Sequence, residues 1–80
     1  LTMWLATYWA NKNIRVNTLV PGGVFNNHEK SFEQSYSNRV PMGRMATPND
    51  MIGMALLLIS DQSAYITGQQ FIVDGGLSAW

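Results

Sequence analysis

The sequence has no cysteine, three prolines, one histidine and only ten charged residues in 80, five of each sign, so its formal net charge is zero. Each shortage removes a class of protein. Without cysteine there is no disulfide framework. A neutral chain with no basic run lacks the electrostatic footprint for nucleic acid or an acidic membrane surface, so neither is an expected partner. The longest apolar run, Met54 to Ile59, falls far short of the roughly 20 residues that span a bilayer. No signal-peptide pattern stands at the amino end, and a cytoplasmic protein is the expectation. The length allows one small domain at most, which would bury roughly 60% of its unfolded surface. No metal site is expected.

What is present starts with LTMWLATYWANK. Leu1, Trp4, Leu5 and Tyr8 fall at i, i+3, i+4 and i+7, one helical stripe, and Met3, Ala6 and Ala10 make a second apolar line. A helix apolar on most sides has to be buried between layers, and the remaining residues offer too little to cover it. The pattern predicts the later half of a helix, in a carboxy-terminal fragment of a larger domain.

After Asn11-Lys12-Asn13, a plausible helix exit, Ile14 to Val20 is rich in β-branched residues and predicts a strand that stops at Pro21. Asn26 and Glu29 have capping-box spacing ahead of a weakly amphipathic, polar stretch with Phe32, Tyr36 and Val40, which predicts a surface helix or lid. Pro41 and Gly43 break it. Thr47-Pro48-Asn49-Asp50 is the strongest local signal: Thr as N-cap, Pro at N1 and an acid at N3, facing the positive end of the helix dipole. The helix it opens carries Met51, Ile52, Ala55, Leu56, Leu58 and Ile59 and ends over Ser60 to Ser63. Gln69 to Val73 predicts a second strand, closed by Asp74-Gly75-Gly76. Strand, long helical crossover, strand is a parallel pair in an α/β sheet. Two such strands are not a stable sheet alone, which again points to a fragment.

In open α/β sheets, ligands sit beyond the carboxyl ends of the strands, and VPGGVFNN (residues 20–27) lies at such an end. Its paired glycines suit a close approach to the backbone by a ligand; a tight turn with no ligand fits the same residues. IRVN, then PGGVFN, PMGRMATPNDM and SDQSAYITGQQFIVDGG, in unbroken order over nearly the whole chain, is similar to the carboxy-terminal half of the short-chain dehydrogenases/reductases.

That resemblance implies the last two strands, with flanking helices, of a Rossmann-type parallel sheet. Residues 1–80 would be the carboxy-terminal part of a single NAD(P)-binding domain, with the amino-terminal part absent. It implies cofactor-binding roles for Pro21, Gly22, Gly23 and Val24, the last at the position where the family's backbone meets the nicotinamide carboxamide. Asn26 stands where the family usually has a cofactor-bonding Thr; an amide can still donate and accept there. Substrate-loop candidates are Phe25, Asn27, His28 and Phe32. The catalytic Ser, Tyr and Lys of the family are expected upstream of Leu1. Tyr8 and Lys12 spell Tyr-x-x-x-Lys, but aligned through IRVN they fall about five helical turns too late, and Tyr8 belongs to the apolar stripe.

Other residues have plainer readings. His28 alone in a polar loop reads as solvated, Arg44 with Asp50 as a salt bridge at the helix cap, and Asp74 as an anchor of the final turn. Met42, Met45, Met51 and Met54 read as flexible packing, and Trp4, Trp9 and Trp80 as interface or core. The expectation is an NAD- or NADP-dependent oxidoreductase that moves a hydride between the nicotinamide and a small alcohol or ketone. A sugar derivative is the suggested substrate, and the enzyme is a homodimer or homotetramer. The alternative is a catalytically inactive truncated protein or pseudoenzyme acting through oligomerisation.

Overall fold

The computed structural model describes residues 1–80. The apolar stripe at the amino end forms helix α1, Thr2–Trp9, which tightens into a 3₁₀ turn over Ala10–Lys12. Asn13 stops it in the left-handed region (φ 60°), which asparagine tolerates better than a bulky residue. Strand β1 follows at Thr18–Pro21, helix α2 at Lys30–Arg39 and helix α3 at Pro48–Ile59. A 3₁₀ turn at Asp61–Ser63 leads towards strand β2 at Gln70–Val73, and another at Leu77–Ala79 closes the chain. The two strands are parallel, with Thr18 opposite Gln70 and Pro21 opposite Val73. This is an α/β arrangement with α2 and α3 lying in the crossover and α1 leading into the first strand.

Three starts differ from the sequence-based expectation, β2 by a single residue at Gln70 and the other two by more. The first strand begins at Thr18 rather than Ile14 because the stretch before it is paired largely through side chains, with one backbone bond from Gly68 N–H to the Val16 carbonyl (2.8 Å). Val16 N–H donates to Thr67 Oγ1 (3.0 Å), Asn17 Nδ2 donates to the Ile66 carbonyl (3.0 Å), and Gln69 N–H donates to Asn17 Oδ1 (3.1 Å). Helix α2 begins at Lys30, and its N-cap position is Glu29, not Asn26. Asn26 therefore caps nothing; its own N–H donates to His28 Nδ1 (3.3 Å). The expected cap of α3 is present: Asp50 accepts from Thr47 N–H (2.7 Å) and from Thr47 Oγ1 (3.1 Å).

Arg15 was not singled out from the sequence, yet it ties the crossover together. Its guanidinium donates to the carbonyls of Leu58 (2.9 Å), Ser60 (3.3 Å) and Ile66 (3.2 Å). A cation there satisfies orphan carbonyls at the negative end of α3. Ser63, fully buried, donates to the Leu58 and Ser60 carbonyls at the same corner.

Only Ala6, Val40, Met45 and Ser63 are buried. The four-methionine packing group therefore reduces to one buried member, Met45, with Met42 exposed. The radius of gyration is 15.4 Å, against about 12 Å for a compact domain of this length. Large apolar side chains line two open faces: Leu1, Met3, Trp4 and Tyr8 on α1, and Ile52, Leu56 and Ile59 on α3. Trp4 and Tyr8 stack on one another with ring centroids 5.1 Å apart. Exposed apolar faces of this extent commonly mark interaction surfaces.

Candidate functional site

The turn after β1 is held by the sheet itself. Thr18 N–H donates to the Gln69 carbonyl (2.9 Å) and Gly22 N–H to the Val73 carbonyl (2.9 Å). Successive N–H groups alternate sides along a strand, so Pro21, one residue before the Gly22 donor, has its nitrogen towards the unpaired edge, where proline is tolerated. The two glycines then have internal causes. A Cβ on Gly22 would lie 2.8 Å from Asp74 Cβ, and one on Gly23 would clash with the phenol edge of Tyr36, 2.7 Å from both Cε1 and Oη. The room both residues give up is taken by the chain's own atoms.

Val24 is different. It forms a parallel bridge with Ala46, in which Ala46 N–H donates to the Gly23 carbonyl (2.9 Å) and Phe25 N–H donates to the Ala46 carbonyl (2.7 Å). The Gly23 carbonyl shares a peptide unit with Val24 N–H, and Phe25 N–H shares one with the Val24 carbonyl. No peptide bond in the chain is cis. In a trans unit the N–H and C=O point in opposite directions, so Ala46 turns both polar groups of Val24 the other way. Neither makes a hydrogen bond within the chain. Val24 thus presents one donor and one acceptor, side by side and pre-aimed.

Beyond it the loop builds a row of rings. Phe25 and His28 stand 6.1 Å apart, His28 and Phe32 4.9 Å, and Phe32 and Tyr36 6.3 Å, with the Arg39 guanidinium 5.5 Å over the Tyr36 ring. The structure brings Phe25, His28 and Phe32 together and leaves Asn27 outside the row, in the left-handed region (φ 57°) that lets the loop turn. His28 is exposed but not merely solvated, since Nδ1 accepts from Asn26. The Asn26 side chain is exposed, and its amide makes no hydrogen bond within the chain.

A cavity of about 220 Å³ lies by the turn, lined among others by Gly22, Tyr36, Met42, Asp74 and Gly75. Its charged groups are already paired. Arg44 forks onto Asp50 (2.7 and 3.2 Å). That hydrogen bond, with one from the Thr47 backbone, holds the Asp50 carboxyl below the usual carboxylate range, and the same pairing raises Arg44. Asp74 accepts from Gly76 N–H and Ser78 N–H (3.0 Å each), and hydrogen bonding from Ser78 is the main cause of its lowered pKa. Both carboxylates anchor turns, as expected. Tyr8 lies on α1, stacked on Trp4 and edge-on to Trp9. No group of three or more His, Cys, Asp or Glu side chains is placed to hold a metal ion.

Residues 1–78 match the family described as enoyl-(acyl carrier protein) reductase. Among curated relatives, D-arabinitol 2-dehydrogenase (ribulose-forming) of Candida tropicalis is 41% identical over 85 residues, covering 95% of this chain and 30% of the relative. A short-chain dehydrogenase from Leptospira borgpetersenii with bound NAD+ superposes with a TM-score of 0.92 at 44% identity, over 96% of this chain and 30% of that one. A gluconate 5-dehydrogenase from Burkholderia cenocepacia, in complex with NADP and tartrate, gives 0.90 at 29% identity, over 99% of this chain and 33% of that one. The chain belongs to the short-chain dehydrogenase/reductase family, and its sheet is a piece of that Rossmann-type fold. It spans about 30% of the length of these relatives.

Two residues that build the site were not read from the sequence as part of it. Tyr36 was visible only as an apolar position of α2, and Ala46 only as a residue before the Thr47 cap. The one available signal for Tyr36 was Gly23, a glycine with no turn requirement of its own.

Proposed function

We propose that this chain is the nicotinamide-end and substrate-loop segment, within a single Rossmann domain, of an NAD(P)-dependent oxidoreductase acting on an alcohol or ketone. The observation that carries this is the free peptide edge of Val24. A primary carboxamide offers a donor and an acceptor in one plane, and Val24 offers the complementary pair. Bound there, the nicotinamide supplies hydride exchange at its C4; this chain's own residues bind and orient it. Pro21, Gly22 and Gly23 hold the Val24 edge in place against β2. The Asn26 amide, free of internal partners, hydrogen-bonds the carboxamide or a cofactor phosphate oxygen. Phe25, His28 and Phe32 form the substrate side, with Asn27 at the turn.

The family's Ser, Tyr and Lys act from residues outside these 80. A polyol or sugar derivative is the favoured substrate: relatives are named for arabinitol and gluconate, and an aromatic row suits the apolar face of a sugar. The protein works in the cytoplasm as a homodimer or homotetramer that covers the Trp4–Tyr8 face; sedimentation of the full-length protein as a monomer at micromolar concentration would contradict that. The open α1 and α3 faces also support a second reading, an inactive protein that acts only through association.

The test is amide hydrogen exchange on the full-length protein with and without NAD(H) or NADP(H). Protection of Val24 on binding is the expected result. Binding that leaves Val24 exchange unchanged would sink the assignment.

A further inference from the structure

We infer that Tyr36 is a positioning residue that sets the free edge of Val24 and joins it mechanically to the substrate-side helix. The inference rests on the nicotinamide reading above and concerns what makes that edge rigid. Glycine is the least constrained residue, so a glycine next to a binding edge needs to be held. Gly23 is held on both sides. Its carbonyl accepts from Ala46, and its N–H donates to Tyr36 Oη at 2.6 Å. The first bond orients the Gly23–Val24 peptide unit and the second orients the Gly22–Gly23 unit. With both planes fixed, Gly23 has no freedom to swing Val24 out of line.

Tyr36 is also the reason residue 23 must lack a side chain, because the edge of its phenol lies too close to where a Cβ would sit, while Gly23 does not have a positive φ. The link runs into α2. Tyr36 is the only side chain of that helix that hydrogen-bonds to another part of the chain. The remaining anchor lies just past the helix end, where Val40 is buried against Gly75. Phe32, four residues earlier on the same helix face, carries the aromatic row to His28. A substrate that presses on Phe32 and His28 therefore moves or steadies Tyr36, and through it the Gly23 peptide. Such coupling is reciprocal: bound cofactor also steadies the helix.

The experiment uses the full-length protein and purified NAD(H) and NADP(H). Tyr36→Phe keeps the ring and removes the hydroxyl. The expected result is a 3- to 10-fold rise in the Kd and KM for the nicotinamide cofactor with kcat within about twofold, and faster Val24 amide exchange in the unliganded protein. Gly23→Ala should weaken cofactor binding by tenfold or more, and much of that loss should be recovered in a Tyr36→Ala background, where the Cβ has room. A simple packing role would show the same steric rescue but would leave cofactor Kd and Val24 exchange unchanged in Tyr36→Phe, which keeps the ring. Wild type that binds cofactor, with Tyr36→Phe binding equally well, overturns the role of Tyr36 and leaves the nicotinamide reading standing. Wild type that binds neither dinucleotide overturns that reading, and this inference with it.

Discussion

Two turns lie side by side in this chain, joined by the bridge between Val24 and Ala46, and they treat their polar groups in opposite ways. At Thr47–Asp50 every available group is used locally: Thr47 donates twice to Asp50, and Arg44 closes the remaining side of the carboxylate. At Val24–Asn26 the backbone of Val24 and the amide of Asn26 are left without internal partners. Polar groups that a chain positions carefully and leaves unpaired are worth most when something else pairs them. The first turn is architecture. The second, tied to the first through Ala46, is the one we propose for the nicotinamide.

The largest test of that contrast removes everything but these 80 residues. With only four residues buried and two strands in the sheet, the chain made alone should oxidise or reduce no nicotinamide cofactor and should bind none in calorimetry. Turnover by the purified 80-residue chain would mean that Tyr8 and Lys12 do chemistry after all and that the alignment behind the Val24 assignment is wrong.

Next in size is Asn26. A hydrogen bond to a charged cofactor group contributes about 1.5–3 kcal/mol, and at about 1.4 kcal/mol per decade its loss in Asn26→Ala should weaken cofactor binding by roughly 10- to 100-fold in the full-length protein. Asn26→Thr should cost much less. The melting temperature should hold, because Asn26 does not cap α2. A lowered melting temperature with unchanged affinity would return the whole stretch to the status of a plain turn.

How far the two turns could be read in advance follows from how local they are. Thr47, Pro48 and Asp50 act within four residues, and the helix they open runs from Pro48 to Ile59 as expected, with β2 starting one residue late. The strand β1 starts four residues late because Thr67 and Asn17 take over pairing that a backbone ladder would have made. Asn26 had the right spacing for a cap and the wrong place, since the backbone turns at Asn27 and the helix waits until Lys30. The Val24 edge depends on Ala46, and Gly23 on Tyr36. These pairings across the loop belong to tertiary structure, so no local pattern announces them. The family resemblance located the turn, and only the bridge explains why Val24 faces outwards.

A smaller effect sharpens the comparison from the other side. Thr47→Ala removes one cap interaction, which typically contributes about 1 kcal/mol. In a full-length protein the size of these relatives, of which this chain spans about 30%, that should lower the melting temperature by roughly 2 °C, with cofactor affinity inside twofold. If affinity falls further than stability does, the cap reaches the Val24 edge through Ala46, and the two turns are one device rather than a support and a site.

The smallest effect is that of pH on the cap. The folded-state pKa of Asp50 is depressed below its ordinary value of 3.8, first by the Arg44 hydrogen bond and then by Thr47. A depressed carboxylate contributes stability that is fully present above the unfolded pKa and is lost as pH falls through the folded one. The urea midpoint of wild type minus that of Asp50→Asn should therefore be flat from pH 5 to neutrality and shrink only below about 4. The pair is open to water, with Arg44 52% and Asp50 30% exposed, so the difference should be small and should fall further in ~1 M salt. A difference that changes near neutral pH instead would contradict the assignment of this effect to the Arg44–Asp50 pair.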